Sequence, residues 1–337
     1  MNDILFQELP AANKTKIGKI ILNRPKALNA LTHDMFMRLR EQLELWEYSA
    51  DIKAVLIRSN NEKAFCAGGD IRAVYDNKHL GAVELAKYFD LEYDTNRYIH
   101  HYPKPYIAMV QGITMGGGVG ISLNGRYTIT ADNLRWAMPE TLIGFFPDVG
   151  ASFYLSRLES VGNYLALTGN SINAADALNL NLVKHVVALD QFDAIEKKLI
   201  NNDVDDVLNL PIDLNIPSSL NTTEINQHFC FATIEEILAS LEKSNSDWAR
   251  DTVQLLLQRS PTSLKVTLEQ LHRAKDKSFD DVIKMDLKIA HHMLKNSDFY
   301  EGIRAAVIDK DKNPHWNPAA LSRVRDVDVV AYFEVAS

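Results

Sequence analysis

Apolar and polar positions along the first two-thirds of the chain change rhythm every ten to twenty residues. "GKIILNRP" (18–25) is a short apolar run stopped by Asn-Arg-Pro, which predicts a strand and its end. Met35, Leu39, Leu43 and Trp46 then recur at the spacing of one helix face, with Thr32 placed to cap it. "IKAVLIRS" (52–59) and "PYIAMVQG" (105–112) are apolar without alternation, as expected of strands covered on both faces. "RYTITAD" (126–132) and "LRWAMPE" (134–140) are two further short strand candidates. Strands and helices in this order predict an α/β architecture.

The rhythm is lost between about 200 and 230, where the chain is polar, rich in Asn and carries Pro211 and Pro217. This stretch reads as a long connection. Beyond it the pattern is helical: Thr233 and Glu236 have capping-box spacing, and Ser260-Pro261 is a cap followed by a first-turn proline ahead of Leu264, Leu268 and Leu271. The expected organisation is an α/β core over 1–200 and a helical C-terminal region over 201–337. No internal repeat is present.

Composition narrows the function classes. The chain has 337 residues, 46% hydrophobic and 24% charged, so a packed globular core is expected rather than disorder. A net charge of −8 argues against nucleic acid as a partner, although a few local cations could still hold a phosphate. No apolar run is long enough for a membrane span, and "MNDILFQELP" has the features of neither a secretory nor an organellar leader, which leads to the expectation of a cytoplasmic protein. Cys66 and Cys230 are the two cysteines, with neither CxxC nor zinc-type histidine spacing, so neither disulfide nor metal is expected. The histidine pairs His100–His101 and His291–His292 read as surface or packing residues.

Two glycine clusters stand where strands end: "AFCAGGDI" (64–71) and "GITMGGGVGIS" (112–122). Glycine here serves either tight turns and close packing, or a pair of exposed backbone N–H groups aimed at a substrate oxygen. Spacing alone leaves both open. A phosphate loop would need Gly-Lys-Ser/Thr, and a serine hydrolase elbow would need G-x-S-x-G; "GISLNG" (120–125) misses that spacing, so Ser122 is expected inside a helix.

The segment "PETLIGFFPDVGASFYL" (139–155) holds Glu140 and Asp148 in apolar surroundings with no Lys or Arg to pair with them. Ionised groups buried in that way are costly unless they serve a task. Eight residues would separate the two acids by about 12 Å in a straight helix and by about 26 Å in a strand. Gly144 and Pro147 supply breaks that let a loop bring both acids to one pocket. Mutual repulsion should then raise the pKa of one of them.

"FCAGGDI", "QGITMGGGVGIS" and "AMPETLIGFFPDVG", in this order, resemble the crotonase (enoyl-CoA hydratase/isomerase) superfamily. "RSPTSLKVTLEQL" (259–271) and "DFYEGIRAAVIDKDKNPHWNP" (298–318) extend the resemblance through the last third and are most similar to its 3-hydroxyisobutyryl-CoA hydrolase branch. The resemblance implies a ββα spiral core with a helical C-terminal region. It also implies an acyl-CoA substrate whose carbonyl oxygen lies between the backbone amides of Gly69 and Gly117, an oxyanion hole. Glu140 corresponds to an acid that the hydratases also carry. Gly120 stands where a hydratase carries its other acid, and Asp148 where a hydratase carries glycine. One acid lost and another gained implies a different reaction on the same thioester scaffold: hydrolysis, with Glu140 as nucleophile or general base and Asp148 holding the substrate hydroxyl or assisting proton transfer. Glu92, in "FDLEYD", falls where the hydrolases place a further pocket acid, which makes it a candidate substrate-binding residue. Lys26 lies in a segment that the superfamily uses near the CoA nucleotide.

The expectation is therefore hydrolysis of a short 3-hydroxyacyl-CoA, 3-hydroxyisobutyryl-CoA in valine catabolism, with no metal or redox cofactor because CoA belongs to the substrate. The assembly is expected to lie between monomer and trimer. Two rival readings are an enoyl-CoA hydratase or isomerase, against which Gly120 argues, and a ribosome-associated structural subunit, against which the acidic charge argues.

Overall fold

Nine short strands are present among the described residues of the structure, a computed structural model describing residues 2–202, 204–207 and 216–334. They are β1 (Ile4–Pro10), β2 (Lys16–Leu22), β3 (Ile52–Ser59), β4 (Ala64–Cys66), β5 (Tyr106–Val110), β6 (Ile113–Met115), β7 (Tyr127–Ala131), β8 (Arg135–Ala137) and β9 (His185–Val187). One sheet has the order β1-β2-β3-β5-β7-β9, antiparallel at β1–β2 and parallel throughout the rest. A second has the order β4-β6-β8, with β4 and β6 parallel. The α/β class follows from this topology.

Residue contacts divide the chain into two units that interleave along the sequence: Met1–Gly69, Asp94–Trp136 and Ser171–Leu220 in the first, and Asp70–Tyr93, Ala137–Asn170 and Asn221–Ser337 in the second. They do not follow the division at about residue 200 read from the sequence.

In the first unit the six-stranded sheet is covered on both faces, which explains its unalternating strands. Ala54 and Leu56, with Ile107, Met109, Ile129 and Ala131, pack against Phe192, Ile195 and Leu199 of the helix Phe192–Asn201. On β2, a Cβ on Gly18 would lie 2.6 Å from the Trp46 ring, so a glycine is needed for the helix His33–Tyr48 to approach so closely. That helix starts as expected, with the Thr32 side chain accepting from Met35 N–H. Each fully buried aliphatic side chain in such a core contributes about 1.5–3 kcal/mol.

The expected connection from about 200 to 230 is partly helical. Val204–Val207 and Thr222–His228 are helices, the second capped by Asn221; residues 208–215 lie outside the described residues. Composition missed them because Asn and Ser, read there as loop residues, also cap helices.

The second unit is helical. Thr233 and Glu236 form the expected capping box ahead of Ile234–Glu242, and Ser260 with Pro261 opens Pro261–Ala274. The helix Ser297–Ile303 backs directly onto the turn Glu140–Ile143. Gly302 and Gly144 make this approach possible: a Cβ on Gly302 would lie 2.3 Å from the Ile143 carbonyl, and one on Gly144 (φ +70°) 2.4 Å from the Asp298 carbonyl oxygen. The buried Asp298 side chain fixes this helix by accepting from Ser260 Oγ (2.7 Å) and Asn317 N–H (2.7 Å). The long C-terminal motifs of the sequence thus support the turn that carries Glu140.

Candidate active site

The glycine clusters serve close packing and tight backbone conformation, and they leave two backbone amides without a partner among the described residues. Parallel pairing of β4 and β6 brings the ends of the two strands side by side. A Cβ on Gly118 would lie 2.5 Å from the Cys66 carbonyl oxygen, and Gly68 (φ +112°) would place a Cβ 3.8 Å from the Gly117 nitrogen. Gly118 and Gly68 are therefore required by close approach and backbone conformation. Gly117 opens the helix Gly117–Leu123, where the first amides have no acceptor within the helix. Among the described residues neither Gly69 N–H nor Gly117 N–H has a hydrogen-bond partner. Two amides on neighbouring strand ends of this unit are thus left to donate elsewhere.

The acids gather in the second unit. The chain turns through Glu140–Ile143, reverses at the left-handed Gly144, and reaches Asp148 through Phe145, Phe146 and Pro147. Neither a straight helix nor a strand carries the two acids; this loop does. Glu92 and Tyr93 join them from the helix Ala82–His100. The Tyr93 hydroxyl donates to Asp148 Oδ2 at 2.7 Å. Glu92, Glu140 and Asp148 are buried, at 2, 8 and 6% exposure, and Glu140 Oε2 has no hydrogen-bond partner. Apolar rings line the region, with Phe89, Phe145 and Phe299 packed at centroid distances of 4.6–6.2 Å.

Burial in these surroundings, rather than repulsion, is the chief cause of the shifted acidities. It raises Glu140 well above the usual carboxylate range; the Asp148 charge and, more weakly, Glu92 add to this, and a backbone hydrogen bond opposes it. Burial likewise raises Glu92, with Asp148 adding to it. Asp148 is pushed up to about 7, again by burial, against which the Tyr93 hydroxyl and a backbone amide stabilise its charge. Tyr93 is itself raised, first by burial and then by Asp148, so it stays a hydrogen-bond donor. The expected pair is therefore a group of three acids, and repulsion is the secondary cause.

Asp148 sits in an unusual backbone. Val149 has φ +55° and Gly150 φ +78°, two successive left-handed residues. A β-branched residue there costs on the order of 1–3 kcal/mol, so the surrounding structure must hold the loop. It does so through Asp286 and Gln270. Asp286 Oδ2 accepts from Gly150 N–H (2.9 Å), and Gln270 Nε2 donates to both Pro147 O (3.0 Å) and Asp286 Oδ1 (2.8 Å).

Sequence reasoning missed Tyr93, Asp286 and Gln270. A signal for Asp286 was present: it occupies the apolar stripe Phe279, Val282, Ile283, Ile289, Ala290 and Met293 of its helix. The other singled-out residues have structural or surface settings of their own. Cys66 is a buried thiol against Asn29 O, and Cys230 is exposed. Ser122 lies in its helix with Oγ donating to Gly118 O (2.7 Å). His291 pairs with Asp90, and His292 packs against Tyr332. Lys26 is exposed in the turn Pro25–Ala27.

The fold is that of a known enzyme family. The family model described as enoyl-CoA hydratase/isomerase matches residues 17–333, and the chain belongs to that family. Among curated relatives it is 38% identical to "3-hydroxyisobutyryl-CoA hydrolase, mitochondrial" of Danio rerio, over 96% of this chain and 87% of the relative. Two solved structures superpose with a TM-score of 0.92. A carnitinyl-CoA dehydratase from Mycobacterium thermoresistibile is 35% identical, covering 100% of this chain and 97% of that one. An enoyl-CoA hydratase from Rhodobacter sphaeroides 2.4.1 is 31% identical, covering 99% and 98%. Backbone shape is thus shared across differently named reactions, so the fold by itself does not choose among them.

Proposed function

We propose that the chain hydrolyses a short 3-hydroxyacyl-CoA thioester, 3-hydroxyisobutyryl-CoA, to 3-hydroxyisobutyrate and CoA, a step of valine breakdown. The observation that carries this reading is Glu140: a buried carboxylate with an unpartnered oxygen, next to Asp148 and with no second hydratase-type acid, because residue 120 is glycine. The curated relative's name supports the same acyl group.

Two routes fit these residues. A Glu140 carboxylate oxygen attacks the thioester carbonyl, the C–S bond breaks with CoA leaving as the thiol after protonation, and water then opens the resulting anhydride. Alternatively Glu140 takes a proton from water as the water oxygen attacks. In either route negative charge develops on the carbonyl oxygen, and the Gly69 and Gly117 amides are the donors suited to it. Asp148, with Tyr93 donating to it, holds the substrate's 3-hydroxyl or passes the proton to sulfur, and Glu92 completes the acyl pocket. The reaction calls on no group beyond the chain and the CoA of its substrate, so rates should survive treatment with chelators.

Thiol release is the test, measured with 3-hydroxyisobutyryl-CoA, 3-hydroxypropionyl-CoA, isobutyryl-CoA and crotonyl-CoA. Release from the hydroxyacyl thioesters and its loss in Glu140→Gln support the reading. Hydration of crotonyl-CoA without thiol release would instead assign the activity named for the superposed hydratase. Hydrolysis in ¹⁸O-water under single turnover separates the routes, because the anhydride places label in Glu140. The compartment is a separate matter: the chain was expected in the cytoplasm, its relative is named mitochondrial, and fractionation of the source cells decides. Light scattering fixes where the assembly lies between monomer and trimer.

A further inference from the structure

We infer that Asp286 and Gln270 form a positioning pair that clamps the Pro147–Gly150 loop and so holds the Asp148 carboxylate against the Tyr93 hydroxyl. This deepens the proposed reading of the site and rests on it only for the use of thiol release as a readout.

Two successive left-handed residues separate Asp148 from the helix that follows, with the Ala151 N–H to Asp148 O bond (2.9 Å) closing the turn between them. The clamp grips it on both sides of Asp148. Before the acid, Pro147 O accepts from Gln270 Nε2; after it, Gly150 N–H donates to Asp286 Oδ2. The two gripping side chains are joined by the second Gln270 Nε2 proton, which reaches Asp286 Oδ1 at 2.8 Å. Both are completely buried, and they come from different helices, Pro261–Ala274 and Phe279–Met293. A glutamine and a carboxylate in such a position cost desolvation that a leucine pair would not, so their bonds to this loop are what favours them there. Gly150 cannot be replaced to relax the loop, because a Cβ there would lie 2.5 Å from the Phe279 ring. Asp148 therefore has one backbone geometry, which directs its Oδ2 to Tyr93 at 2.7 Å. Neither Asp286 nor Gln270 needs to touch substrate for this role.

The experiment compares wild type, Asp286→Asn and Gln270→Met for kcat and KM, and follows hydrogen exchange of the Gly150 amide by NMR or mass spectrometry. Both substitutions preserve volume. Asn presents one oxygen where Asp presents two, so it cannot accept from Gly150 and Gln270 together; Met abolishes both glutamine bonds. Expected are a fall in kcat of about 10–100-fold with KM within about threefold, as a displaced catalytic group produces, and faster exchange at Gly150 in Asp286→Asn. A folded variant with kcat within twofold of wild type, or one that loses thermal stability while kcat, KM and Gly150 exchange all stay put, overturns the proposal. Should a variant not fold, the other carries the same comparison, and the wild-type Gly150 amide, if it exchanges as fast as an open loop, sinks the clamp without any variant. Wild type that releases no thiol defeats the hydrolase reading instead, and Gly150 exchange then still decides the clamp.

Discussion

The two units treat a buried carboxylate in opposite ways. In the first, Glu196 is nearly covered and is met by two cations, Lys19 at 2.5 Å and Arg58 at 2.6 Å. In the second, Glu92, Glu140, Asp148 and Asp286 are more deeply covered, and burial raises the pKa of all four. Pairing lets Glu196 stabilise the fold or leave it unaffected. The unpaired acids instead oppose folding in their charged form, and a fold retains such groups where they have work to do. In the first unit, by contrast, the groups proposed for the chemistry are the backbone amides of Gly69 and Gly117, which have no hydrogen-bond partner among the described residues.

Substitutions sharpen this contrast in order of size. Glu140→Gln keeps shape and removes the attacking or basic oxygen, so thiol release should drop by about 10³-fold or more, read by single-turnover assay. Gly118→Ala would press a methyl into the Cys66 carbonyl and shift the Gly117 amide; a loss of about 10²-fold in kcat with the fold retained by circular dichroism is expected. Asp148→Asn should lower kcat by about 10-fold or more, and it should move the rate midpoint of the remaining acids to lower pH, because the charge that raises Glu140 is gone.

The same variant should also gain stability with a definite sign. Asp148 binds its proton more tightly folded, at about 7, than unfolded, at the ordinary 3.8. The contribution of Asp148 to wild-type stability is thus fully present below about pH 4 and is lost as pH rises through about 7. Asp148→Asn should match wild type near pH 4 and melt higher at pH 8 by roughly 5 °C. At the small end, Lys19→Met in the first unit should change stability by about 1 kcal/mol or less and leave kcat unaltered, as measured by urea unfolding and the thiol assay.

Much of this was legible in the sequence wherever a cause is local. Thr32, the Thr233/Glu236 box and Ser260-Pro261 cap the helices they were expected to cap, because a cap is settled within four residues. The unalternating runs at 52–59 and 105–112 are strands of a covered sheet for the same reason. The clustering of Glu140 with Asp148 could be anticipated from their apolar setting, whereas Glu92 entered only by resemblance. Tyr93, Asp286 and Gln270 depend on contacts 55, 136 and 123 residues distant, which no periodicity reports. Within 200–230 composition misleads: Asn221 reads as a loop residue, yet it caps a helix.

The glycine contacts at Gly144 and Gly302 carry a lesson for protein engineering. The peptide "PETLIGFFPDVG" is not a portable cassette: its first turn lies against the helix Ser297–Ile303, and its last residues hang from Gln270 and Asp286. Recombination between hydratase and hydrolase sequences that cuts between residues 150 and 260 would inherit the acids without their seat. Exchange of activities within this fold is therefore a matter of swapping the turn and the tail together.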